Sequence, residues 1–125
     1  MFAYVDTAAA MPRGFSNPAT AEKISKRLVL LRKVLGHTQE SLADRLEIGR
    51  SQLANYEASD PERVITVSVA LSLCQISGAS LDWIYTGNEF YLSSELKENL
   101  RVQEKLLIEK AKQRQRRRPR DAARR

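Results

Sequence analysis

The sequence predicts an all-α protein, with five short helices in about 70 residues followed by a longer C-terminal helix. Three observations predict it. Apolar residues recur at helical spacing, as in Ile24, Leu28, Leu31 and Leu35. Hydroxyl residues suited to N-caps (Thr20, Thr38, Thr66, Ser80) precede the apolar stretches, and glycines that can take positive φ (Gly36, Gly78, Gly87) follow three of them. The link Glu47–Gly49 is too short for antiparallel stacking, so the helices it joins must cross steeply.

The elements follow in order. Residues 1–19 carry small residues, Pro12, Gly14 and Pro18 without periodicity, and are expected to form a flexible arm. The first helix runs from Thr20 to Leu35 on one apolar stripe, closed by Gly36. The second follows Thr38 and buries Leu42, Ala43 and Leu46. The third spans about Arg50 to Glu57, with Leu53 and Tyr56 inward and Gly49 before it. Ser59, Asp60 and Pro61 break the pattern. Val67 to Ser77 forms the fourth helix, with only Ser68, Ser72 and Gln75 polar near its outer strip, and is expected to be the most buried of the set. Leu81, Trp83 and Ile84 belong to a short fifth helix. From about Leu92 a longer helix places Leu92, Leu96, Leu100 and Leu107 near one face, interrupted by Gln103, which is too irregular for a coiled-coil assignment. The expected domains are an arm at 1–19, a helical domain at 20–89, a C-terminal helix at 90–112 and an Arg-rich disordered tail at 113–125.

Charge divides the chain unevenly. The net charge is +6, but residues 93–125 hold 12 Lys and Arg against 5 Asp and Glu, leaving residues 1–92 at 9 against 10. The helical domain is near neutral and the basicity is C-terminal, with Arg114, Arg116, Arg117, Arg118 and Arg120 as candidates for nonspecific phosphate contacts. Aromatics make up only 6%, so the core must be aliphatic. A single cysteine, Cys74, excludes an internal disulfide and fits a reducing cytosol. No apolar run approaches the ~18 residues of a membrane span, and the N-terminus lacks a signal-peptide pattern, so a cytoplasmic location and no membrane partner are expected. One histidine, His37, far from Cys74, makes no metal site, and no catalytic constellation, phosphate loop or cofactor motif is present. No enzyme activity, cofactor or metal is expected.

The third helix has an unusual outer face. Arg50, Ser51, Ala54, Asn55 and Ala58 fall together on a helical wheel, opposite Leu53 and Tyr56. Forked donors, a hydroxyl, an amide and small residues pack a core poorly but suit the floor of a DNA major groove. Arg50 can fork onto guanine and Asn55 onto adenine, while Ala54 can meet a thymine methyl.

With these residues in place, the chain resembles the Cro/CI-type (lambda-repressor-like, XRE family) helix-turn-helix regulators over residues 24–87. RLVLLRKVLGHTQESLADRL, SQLANYE and SLDWIYTG carry the resemblance. It implies a compact five-helix DNA-binding domain in which Gln39 braces the first reading residue and touches phosphate, and Arg50, Ser51 and Asn55 read bases. It also implies a largely buried structural ion pair between Arg32 and Glu57. Thr38, Arg63, Thr66 and Val67 are the remaining backbone candidates, the helix N-termini at Gln39 and Val67 offering amides to phosphates. Glu47 stands where the family usually has glycine, so the turn must either hold a strained residue or change shape.

The expected function is a sequence-specific double-stranded DNA-binding transcriptional regulator, with repression the expected sign, acting as a homodimer on a two-fold related operator. Two alternatives stand beside it. One is an antitoxin-type autoregulator whose C-terminal helix also binds another protein; the other is a protein-interaction adaptor retaining the fold.

Overall fold

A computed structural model describes residues 17–123, with side chains described through Arg117. The expected arm therefore lies outside the described residues as far as Ser16. Asn17 to Ala19 form a turn in which the Ala19 amide donates to Asn17 Oδ1 at 2.9 Å.

Six helices and no strand make up the described residues: α1 Ala21–Leu35, α2 Gln39–Leu46, α3 Arg50–Glu57, α4 Val67–Ser77, α5 Leu81–Thr86 and α6 Ser94–Ala123. Thr20, Thr38, Thr66 and Ser80 each accept a backbone N–H of the first turn of the helix they precede. Thr38 does so within a capping box completed by Ser41, which removes two otherwise unpaired donors. Ser93 performs the same service for α6 by accepting from the Leu96 amide at 3.1 Å.

The central helix is α1, which packs against α3, α5 and α6. Its Ile24, Leu28 and Leu31 join Leu42, Ala43, Leu46, Leu53, Ala70, Leu73, Trp83 and Ile84 in one core. Leu92, Leu96 and Leu100 extend that core, so the start of α6 docks along α1. Tyr85 pins α5 to the loop before α4 through a bond from its hydroxyl to Ile65 O at 2.7 Å. Burial, with smaller contributions from Cys74 and Tyr56, pushes that hydroxyl above the ordinary tyrosine pKa.

Two expectations need correction. First, α4 is the most apolar helix but not the most buried: only Ala70 and Leu73 are buried, while Val67 and Leu71 are 55% and 48% exposed. Its main neighbours are α2 and α5, and an apolar helix buries only the residues that its neighbours cover, which leaves Val67 and Leu71 in solvent. Second, α6 does not end near residue 112 but continues through the Arg-rich stretch to Ala123. Composition alone indicated that this stretch cannot build a core. It did not take account of the nucleus supplied by the docked turns, from which Glu109–Arg117, free of Gly, Pro and β-branched residues, can propagate.

The turn after α2 keeps its shape and takes the strain. Glu47 has φ 58° and ψ 40°, and its amide donates back to Ala43 and Asp44 carbonyls. The Ile48 amide reaches Ala43 O at 3.0 Å, completing a Schellman-type closure. A non-glycine residue here costs about 1–2 kcal/mol. Glu47→Gly is therefore expected to raise the melting temperature by roughly 4–8 °C per kcal/mol recovered. An unchanged or lower melting temperature in a thermal scan would refute the strain.

Candidate nucleic-acid interface

The corner formed by α2, the turn Glu47–Gly49 and α3 sets the site. Leu53 and Tyr56 anchor α3 in the core. Their burial turns Arg50 and Ser51 fully outward and leaves Ala54 and Asn55 partly exposed beside them. The side chains of Arg50, Ser51 and Asn55 have no hydrogen bond or ion pair among the described residues. No buried polar side-chain atom among the described residues lacks a partner, so unbonded groups are confined to the surface. Next to Arg50 lies a polar cleft of about 450 Å³ lined by Arg32, Thr38, Gln39, Glu40 and Arg50.

Behind this face the structure brings Arg32 and Glu57 together. Arg32 Nε lies 2.9 Å from Glu57 Oε2 and 3.1 Å from Oε1, and a terminal guanidinium nitrogen reaches Oε1 at 3.0 Å. The two side chains are only 11% and 4% exposed. Gln39 joins them, its Nε2 donating to Glu57 Oε1 at 3.2 Å, so in the free protein the Gln39 amide braces the carboxylate rather than Arg50. The other arm of Arg32 donates to His37 O at 3.1 Å. Four groups from α1, α2, α3 and the α1–α2 link thus converge, and the C-terminal end of α3 cannot tilt without breaking charge-assisted bonds.

The flanking candidates are placed less uniformly. Thr38 and Thr66 are exposed, with hydroxyls engaged as caps; Val67 opens α4 beyond Thr66. Arg63 makes a loose contact of 3.8 Å with Asp60 in the preceding turn. Arg114, Arg116 and Arg117 are exposed on α6, whereas the side chains of Arg118 and Arg120 lie outside those described. His37 is tied to Ser41 Oγ at 2.9 Å and to Arg45 at 3.2 Å, bonds within the α1–α2 region and remote from Cys74 in sequence. Burial pushes the Cys74 thiol above its ordinary pKa, which disfavours the nucleophilic thiolate. Among the described residues, no group of acidic, His or Cys side chains could hold a metal ion. No helix there is long and apolar enough to cross a membrane.

Sequence reasoning missed Ser25. It is 4% exposed, donates to Tyr56 O at 2.8 Å and accepts from the Ser59 amide at 3.0 Å. It therefore closes the C-terminus of α3 onto α1 and steadies Ser59 at φ 64°. The available signal was its spacing, seven residues before Arg32, which puts both on the side of α1 facing α3. Ser25→Ala strands one donor and one acceptor and is expected to cost about 1–3 kcal/mol. Urea unfolding with an unchanged midpoint would contradict that bridge.

A short helix joined to the one before it by the three-residue turn Glu47–Gly49, its inner side anchored and its outer donors unbonded, is the arrangement of the DNA-binding helix-turn-helix class. Comparison by sequence agrees: the family model described as a helix-turn-helix domain matches residues 25–89, and the chain belongs to that family. No curated protein and no solved structure matches the chain.

Proposed function

We propose that this helix-turn-helix protein is a sequence-specific transcriptional regulator, acting chiefly as a repressor, that binds a two-fold related operator as a homodimer. The observation that carries this reading is the outer face of α3, where Arg50, Ser51 and Asn55 hold donors and acceptors that no described protein group satisfies. Arg50 forks onto guanine O6 and N7, Asn55 onto adenine N6 and N7, and Ala54 leaves room for a thymine methyl. Gln39 and Thr38, which line the cleft beside Arg50, take phosphates together with Arg63, Thr66 and Val67. Among the described residues the Gln39 side chain is bonded only through Nε2, leaving its Oε1 to brace Arg50 across the cleft they both line. One reading helix contacts too few base pairs to select a genomic site, which is the physical reason for a dimer. Repression requires only that a promoter be occupied.

Selection of bound duplexes from a random pool, followed by footprinting, tests the reading. Enrichment of a two-fold related site supports it. Failure to enrich any site would favour a protein-interaction adaptor.

General affinity is assigned to the basic end of α6, because residues 1–92 carry no net positive charge. Removing residues 113–125, which leaves Lys112 in place, should weaken binding to all duplexes alike and flatten the salt dependence by about 0.9 log units for each phosphate that is no longer neutralised. Titrations at several salt concentrations check this, and an unchanged slope would place the affinity elsewhere.

A further inference from the structure

Beyond the DNA-reading face, one apolar groove has no role in the reading above. It lies between α1 and α6, measures about 460 Å³, and is walled mainly by Val29, Leu30, Leu107, Ile108 and Ala111, with Lys26, Glu104 and the Ser25 and Glu57 side chains already described completing its lining. Ile108 is 49% exposed there. Glu104 is exposed and has no ion-pair partner among the described residues. Lys112 has only a loose contact with Glu109 at 3.9 Å, both side chains being largely solvated. Glu104, Ile108 and Lys112 are spaced by four residues and so stand in one row along α6: acid, apolar, base.

The geometry points to a second copy of this chain as the occupant, with its α6 antiparallel to the first and the two-fold axis at Ile108. In that arrangement Ile108 of one copy meets Ile108 of the other, and Glu104 of each lies opposite Lys112 of the other. Each exposed isoleucine then enters the apolar groove of its partner. Charge selects the orientation. A parallel pair would set Glu104 against Glu104 and Lys112 against Lys112. It would also stack two basic halves, each with seven Lys and Arg against one Asp from Lys110 to Ala123. The antiparallel pair separates those halves to opposite ends. The inference rests on the dimer proposed above and gives it an interface; it does not depend on DNA recognition.

Sedimentation equilibrium of the full chain without DNA tests it. Wild type should be dimeric, and Ile108→Glu, at a half-exposed position that the fold does not need, should be monomeric with an unchanged helical circular dichroism spectrum. Glu104→Lys and Lys112→Glu should each weaken the dimer about tenfold, since each turns two attractions into repulsions. The double variant Glu104→Lys with Lys112→Glu should restore it to within roughly threefold of wild type. A dimeric Ile108→Glu protein, or a double variant no tighter than the singles, would overturn this interface while leaving the dimer standing. A monomeric wild-type chain would overturn both.

Discussion

Replacing Glu57 with alanine is expected to destabilise the protein by about 3–5 kcal/mol, a large part of the stability of a domain this size. The cost does not come mainly from lost attraction. Arg32 is 11% exposed and always charged, and it would be left with only the His37 carbonyl in a site already stripped of water. The Gln39 amide would lose its acceptor as well. Removing both charges is a different experiment. Arg32→Met with Glu57→Leu leaves no orphan ion and should be near wild type or more stable. Urea unfolding of the two singles and the double closes the cycle. A Glu57→Ala protein within ~0.5 kcal/mol of wild type would mean that water already screens the pair.

That strut also shows what sequence can and cannot reveal. The ends of α1, α2, α4 and α5 were legible because a hydroxyl or glycine marks them and capping is a local interaction. The reading face was legible because helical periodicity alone separates Arg50, Ser51 and Asn55 from Leu53 and Tyr56. Ser25 was hidden because its importance depends on a backbone carbonyl and an amide more than thirty residues away, which no local pattern records. The exposure of Val67 and Leu71 was hidden for a related reason: apolar composition states what a helix could bury, and only its neighbours decide what it does bury. The reach of α6 was misjudged from charge. Polyarginine repels itself, but arginine also ranks high as a helix former once a nucleus exists.

Arg50→Ala and Asn55→Ala should each weaken binding by about 1–3 kcal/mol per half-site, so by about 2–6 kcal/mol for the dimer on its full operator, and the double variant by roughly the sum, because the two positions lie five residues apart and meet different base pairs. Their effect on sequence preference is the sharper readout. Each substitution should relax selectivity at one position of a half-site, for guanine in the case of Arg50 and adenine for Asn55, and at the symmetric position of the other half-site. Folding should be untouched, to within ~0.5 kcal/mol, since neither side chain bonds to any described protein group. Removal of the Arg-rich end must behave in the opposite way, lowering affinity for every sequence and flattening the salt dependence. Binding assays at one fixed salt concentration against single-base operator variants separate the two. If Arg50→Ala weakened all duplexes equally, Arg50 would be a phosphate contact. Base reading would then fall to Ser51 and Asn55 further along α3, and the cleft shared with Gln39 would be part of the backbone clamp.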